Sequence, residues 1–271
     1  MKKIIISVSI AIVVIIGGIL YYTQVKQPHD EAVKKYEQVV SERKKQNDNL
    51  QNLINQAENI VKGKSKPYKQ ETFDSLNKEI EVAKKSLINI PDTPSKTKNI
   101  LEKVEKFKQP FNYSNIEKQL TEKIKNAQNS IKQLKQVTAP SQDFVLNRIK
   151  EVNNIDAVEP ATEENDPNEL LNKAGGYTAA IFFSSPLVNQ SEVFGDSIID
   201  KGTDGGGCIE VYTNTEDAEK RNKYLSAFDG GALSPGSHKV LGTLVIRTSA
   251  KLTATQQNEL TNNIINSLTK L

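Results

Sequence analysis

IIISVSIAIVVIIGGILYY, residues 4–22, holds no charged side chain over about five helical turns. Its length is close to the ~20 residues that a helix needs to cross a ~30 Å hydrocarbon core. In a bilayer the backbone groups of such a stretch are paired only within a helix. Lys2 and Lys3 precede it, and Tyr21 and Tyr22 close it. Those are the places of a cytoplasmic positive flank and an interfacial aromatic belt. The stretch reads as an uncleaved transmembrane signal-anchor over residues 1–25. That reading places the protein in the cell membrane, single-pass, with its C-terminal part extracytoplasmic. A cleaved signal peptide is the rival, but the apolar run exceeds the usual ~7–15 residues and no A-x-A-like site follows it. A buried core helix is the third reading, and such a helix seldom lacks a charged face.

Outward from this stretch the charge is uneven. Residues 1–22 carry +2, residues 23–138 carry 23 Lys/Arg against 15 Asp/Glu (+8), and residues 139–271 carry 11 against 18 (−7). A basic segment beside a bilayer suits anionic lipid or wall polymers. The bland alternative is a solvated helical surface, because Glu and Asp are interspersed with the Lys. Hydrophobic content of 37% and aromatic content of 6% suit a long polar helical part. One cysteine, Cys208, excludes an internal disulfide.

Residues 26–138 read as a helical stalk. Val33, Tyr36, Val40, Arg43, Asn47, Leu50, Ile54, Ala57 and Val61 step by three and four, with Arg43 and Asn47 as polar interruptions of the seam. Gly63 and Pro67 stop this helix near Lys62. Further runs use Phe73, Leu76, Ile80, Ala83, Leu87 and Ile90, then Ile100, Val104 and Phe107, then Ile116, Leu120, Ile124, Ala127, Ile131 and Leu134 as far as Val137. Short connections favour antiparallel neighbours. The expectation is an antiparallel helical or coiled-coil stalk, with oligomerisation through the stalk as the competing way to cover its seams.

Residues 139–271 read as an α+β head. Strands are expected at residues 177–184, 208–213 and 240–248, with a fainter one at 155–162. Helices are expected at 215–228 and 253–271, the latter opening with the capping-box spacing Thr253/Gln256. The order predicts a C-terminal two-layer α+β sandwich with helices on one face. It leaves room for one right-handed βαβ unit across residues 208–248.

Two resemblances accompany these readings. KPYKQETFDSLNKEIEVAKKSL, residues 66–87, resembles the opening of FIVAR-type helical modules through Tyr68, Thr72, Leu76, Ile80 and Ala83. Residues 110–131 look like a second copy. The resemblance implies a spacer or matrix-contact module. The head resembles a group of Gram-positive membrane-anchored proteins labelled after the giant matrix-binding protein Ebh. That resemblance is carried by NDPNELLNKAGGYTAAIFFSS, DKGTDGGGCIEVYTNTEDAEKRNKYLSAFDG and GSHKVLGTLVIRTSAKLTATQQNEL. It implies location and architecture and brings no catalytic residue.

The most unusual loop is KGTDGGGC, residues 201–208. It lacks the Lys-Ser/Thr of a phosphate loop and runs into a strand instead. Asp196, Asp200 and Asp204 offer oxygens to a cation, yet the position that should hold an EF-hand glutamate is Val211. No metal and no cofactor is therefore expected. Asp200, Asp204, Gly205, Gly206, Gly207 and His238 remain as candidate binding residues. Cys208 and His238, with Arg247 for an oxyanion, would make a thiolate–imidazole site if the fold joins them. Lys220, Arg221 and Lys223 alternate with acids on one helix, and the head's negative charge disfavours nucleic acid. The reading is a non-enzymatic, membrane-anchored surface protein that presents a binding or structural module in the Gram-positive cell envelope. Its expected partners are a membrane, and a cell-wall polymer or envelope protein. The alternative is a Cys-dependent cell-envelope enzyme using Cys208 and His238.

Overall fold

The computed structural model describes residues 2–231 and 234–271, with side chains described from Ile12 onward. The chain is α+β, with a long N-terminal helical part and a five-stranded antiparallel sheet. It divides into two compact units, Met1–Lys64 with Glu71–Ala127, and Ser65–Gln70 with Gln128–Leu271. The unit that carries the sheet thus takes in six residues near position 65 and begins its main run ahead of residue 139.

The first unit opens with α1 (Lys2–Tyr21), a π-helical turn (Tyr22–Lys26) and α2 (Gln27–Lys62). Thr23 sits in the π turn and donates its hydroxyl back to the Ile19 carbonyl at 2.9 Å. The membrane anchor needs correction. Among the described residues no helix is long and apolar enough to cross a membrane. The side chains of residues 4–11, on which the expectation also rested, lie outside the described residues. The single-pass membrane placement and the extracytoplasmic orientation go with the anchor.

The stalk seams are buried within one chain. α2 buries Tyr36, Val40, Arg43, Leu50, Ile54 and Ala57, and α3 (Gln70–Ser86) buries Phe73, Leu76, Ile80 and Ala83. α4 (Thr97–Lys108) buries Ile100 and Val104, and α5 (Ser114–Gln136) begins beyond Pro110. α3 runs antiparallel to α2: Lys84 pairs with Glu58, while Ile88, just past the helix, bonds Asn47. α4 runs parallel to α2 instead, against the antiparallel expectation. Residues 87–96 are extended and return along α2, with Tyr36 Oη donating to the Pro91 carbonyl at 2.6 Å. The chain then restarts beside His29, whose Nδ1 lies 3.1 Å from Thr97 Oγ1.

The two polar seam positions bond backbone groups where the neighbouring helices end. Arg43 donates to the Phe107 carbonyl from Nε and Nη2, and to the Gln109 and Phe111 carbonyls. The Phe107 and Gln109 oxygens have no partner inside α4, because the last carbonyls of any helix lack one. A cation also suits the negative end of the helix dipole. Asn47 instead holds the segment that follows α3: it donates to the Ile88 carbonyl at 2.8 Å and accepts from Tyr113 Oη at 2.6 Å.

The second unit adds α6 (Gln142–Ile149), β1 (Ala157–Pro160), β2 (Ala179–Ser184), α7 (Ile198–Lys201), β3 (Gly206–Val211), α8 (Thr215–Ser226), β4 (Ser237–Leu241), β5 (Leu244–Thr248) and α9 (Ala254–Thr269). The sheet order is β1-β2-β3-β5-β4, antiparallel throughout. Residues 240–248, read as one strand, are split by a two-residue turn at Gly242 and Thr243. Gly242 has φ +61°, which a residue without Cβ adopts freely. β5 therefore folds back between β3 and β4 and pairs antiparallel with both, so no parallel βαβ unit forms.

The two-layer expectation is also corrected, because helices cover both faces. On one face Ile181, Phe183, Ile209, Val211, Leu244 and Ile246 pack with Val145 and Ile149 of α6 and Leu260, Ile264 and Leu268 of α9. Val137, Leu134 and Tyr68 join this core. On the other face Ala180, Phe182, Cys208 and Val245 pack with Ile199 of α7 and Ala218 and Leu225 of α8. β2 is apolar on both sides, as suits a strand buried on two faces, and β3 is apolar apart from Glu210.

Candidate functional site

The central strand β3 carries Glu210 on the α8 face, fully buried. A carboxylate there is tolerable only if its charge is met. Arg221, on α8, donates from Nε at 3.0 Å to Glu210 Oε2 and from Nη2 at 2.9 Å to Oε1. Arg247, on β5, donates from Nη1 to Oε1 at 3.0 Å, and Tyr212 Oη donates to Oε2 at 2.9 Å. The pattern continues outward. Arg221 Nη2 reaches Asn168 Oδ1 at 3.4 Å, Asn168 donates to Tyr177 Oη at 3.2 Å, and Tyr177 Oη donates to Asp166 Oδ1 at 2.5 Å. Two carboxylates and two guanidiniums thus lie in one network beneath the loop of residues 161–176.

Asp166 is the pin of that loop. Its carboxylate also accepts the backbone N–H groups of Asn168, Leu170 and Leu171. The loop's turns place Glu169 at φ +52° and Asn172 at φ +61°, conformations that L-residues rarely hold without such support. Burial pushes the Asp166 carboxyl up, but the Tyr177 hydroxyl and the Leu171, Leu170 and Asn168 N–H groups outweigh it and hold the carboxyl below its usual range. A carboxyl depressed in the folded state contributes stability that is present above its unfolded pKa, about 3.9, and is lost as pH falls through the folded value. The stability gap between the native chain and Asp166→Asn is therefore expected to shrink on acidification below about pH 4. Urea unfolding across that range checks it, and a gap that stays constant with pH would refute the assignment.

The residues singled out from sequence are dispersed over this frame. Asp200 caps α7 in a reciprocal capping box with Ser197, and its oxygens are held by that turn. Asp204 is exposed, and its backbone carbonyl accepts the Ser249 hydroxyl at 2.8 Å. The Gly205 carbonyl accepts from Ser185 N–H and Gln190 Nε2. Gly206 and Gly207 permit close strand approach: a Cβ on Gly207 would collide with the Phe183 ring and the Arg247 carbonyl. Among the described residues no group of three or more His, Cys, Asp or Glu side chains could hold a metal ion.

Cys208 and His238 do not form a pair. Cys208 lies opposite Arg247, and Arg247 lies opposite His238. The two are therefore two strands apart, about 10 Å between Cα atoms. His238 presents Nδ1 to Asn222 Oδ1 at 2.7 Å and Nε2 to Asp229 Oδ1 at 3.2 Å. Cys208 is fully buried, and burial, with the Glu210 carboxylate next in effect, pushes its thiol well above the ordinary value. A thiol held neutral is a poor nucleophile.

The open part of this unit lies elsewhere. Asn165, Pro167, Ser191, Glu192, Val193, Phe194, Gly195, Asp196, Ile199 and Asp200 line a groove of about 800 Å³. Its rim is acidic and its most prominent side chain is Phe194, 97% exposed. Comparison with known proteins finds no family model, no curated protein and no solved structure that matches this chain.

Proposed function

We propose that this chain is a non-enzymatic binding or structural protein, in which a helical unit is joined to an α+β module that engages a partner through its surface. The observation that carries this reading is the disposition of the reactive side chains. Cys208, Glu210 and Arg247 are enclosed within the module and, for Glu210 and Arg247, bonded to each other. Groups arranged so contribute to the fold, since a nucleophile needs access and a partner base within hydrogen-bond reach.

The test is thiol accessibility in the intact chain. Cys208 is expected to react with iodoacetamide only after denaturant has opened the fold, and to remain unmodified in the native protein. Rapid labelling of the native chain, at a rate comparable to or above that of a free thiol, would overturn the reading and favour the Cys-dependent alternative.

A further inference from the structure

The groove around Phe194 is built to hold an aromatic side chain outward. Val193 on one side is buried in the α9-face core, and Ile199 on the other is buried in the α8-face core. Between them Gly195 has φ +124° and comes so close to Asp200 and Lys201 that a Cβ would lie 2.7 Å from the Lys201 nitrogen. Only glycine fits such a position. The segment is thus anchored at both ends while Phe194 stands free. A single exposed apolar side chain is common. Phe194 differs because it stands over a groove whose lining also holds Pro167, Val193 and Ile199. Aromatic side chains in such positions are the usual anchors of protein contacts.

The rim says what kind of partner fits. Glu192, Asp196 and Asp200 are exposed around the groove. Residues 156–204, which supply the whole lining, hold ten acids against two lysines, a net −8. The complementary charge is present in the same chain. The helical unit, residues 1–64 with 71–127, holds 21 Lys/Arg against 15 Asp/Glu, a net +6, with Lys34, Lys35, Lys44 and Lys45 exposed on α2 and Lys118 and Lys125 exposed on α5. Complementary patches of this kind steer association and suppress like-charged partners.

We propose that this groove is a docking surface for a second copy of the chain: the acidic rim receives the lysine-rich helical unit of the other copy, and Phe194 is the apolar anchor of the contact. The inference rests on the reading of the module as a binding protein and adds its partner. Sedimentation velocity on the full chain over a wide concentration range, at about 0.02 M and about 1 M salt, tests it. The sedimentation coefficient is expected to rise with concentration at low salt and to stay at the monomer value at high salt. Phe194→Ser and Asp196→Lys are each expected to weaken the association by on the order of tenfold, while leaving the urea midpoint unchanged. A chain that stays monomeric at low salt at every concentration overturns the proposal, whatever other polypeptide the groove binds. So does an association that neither variant weakens. Either failure leaves the non-enzymatic reading standing, because that reading is decided by Cys208 labelling.

Discussion

Glu210→Ala is expected to destabilise the sheet-bearing unit by about 3–5 kcal/mol. The carboxylate accepts from Arg221, Arg247 and Tyr212 inside the α8 face. Removing it leaves two guanidiniums about nine-tenths buried, facing each other's charge with no counter-ion between them. Domains have only about 5–15 kcal/mol in hand, so the loss is a large fraction of the total. Urea unfolding of the full chain, followed by circular dichroism, measures it. A second variant separates lost charge balance from lost packing: Glu210→Leu with Arg221→Leu and Arg247→Met removes the charges together. Replacing a whole buried ion cluster by apolar groups is often nearly neutral, so this triple variant should recover most of the stability. A Glu210→Ala chain that unfolds within 1 kcal/mol of the native one, taken as about the effect of an ordinary surface change, would show that the cluster is solvated.

Ile246→Asp is expected to abolish the cooperative transition of the same unit. Ile246 lies on β5 opposite Ile209 and Lys239 in register, and its side chain is fully buried in the core shared with α6 and α9. That core is built from aliphatic and aromatic residues, and the cross-strand neighbour Lys239 is exposed on the edge strand β4. Burying the group costs several kcal/mol whether it ionises or takes up a proton. Ile246→Val, which removes one methylene, should cost only about 0.5–1.5 kcal/mol. Calorimetry distinguishes the two, with a normal endotherm for the valine variant and none for the aspartate variant. An unchanged endotherm for Ile246→Asp would mean that this face of β5 is open to water.

The helices were legible because their causes are local. The three-and-four spacing of Phe73, Leu76, Ile80 and Ala83 is enough to define a buried stripe, and Gly63 and Pro110 mark ends wherever the helices pack. The hairpin turn at Gly242 is equally local: Gly-Thr between two apolar runs is a turn signal. The capping box at Ser197 and Asp200 belongs with it. Its serine and acid are three residues apart, so the sequence already held the reason for Asp200.

The candidate site was not legible in the same way. Glu210 stands alone in CIEVY, and a lone acid in an apolar strand does announce a buried partner. Its partners are Arg221 and Arg247, 11 and 37 residues away. Nothing in the spacing of those arginines marks them, and on the helix Arg221 reads as part of a solvated, mixed-charge face. Arg43 shows the same limit. It reads as a seam interruption until α4 ends beside it and supplies the carbonyls it caps.

By itself, then, the sequence determined the helical stripes, their stops, the strand candidates and the uneven charge, because each depends on residues within one or two turns of each other. Only the tertiary structure decided the parallel run of α4 beside α2, the helices on both faces of the sheet, the separation of Cys208 from His238 and the enclosure of Glu210. These depend on which strand returns beside which, and that choice rests on the burial of whole faces, summed over residues far apart in the chain. It also decided that Phe194 stands outward, since its exposure is fixed by Val193 and Ile199 sinking into two different cores on either side of it.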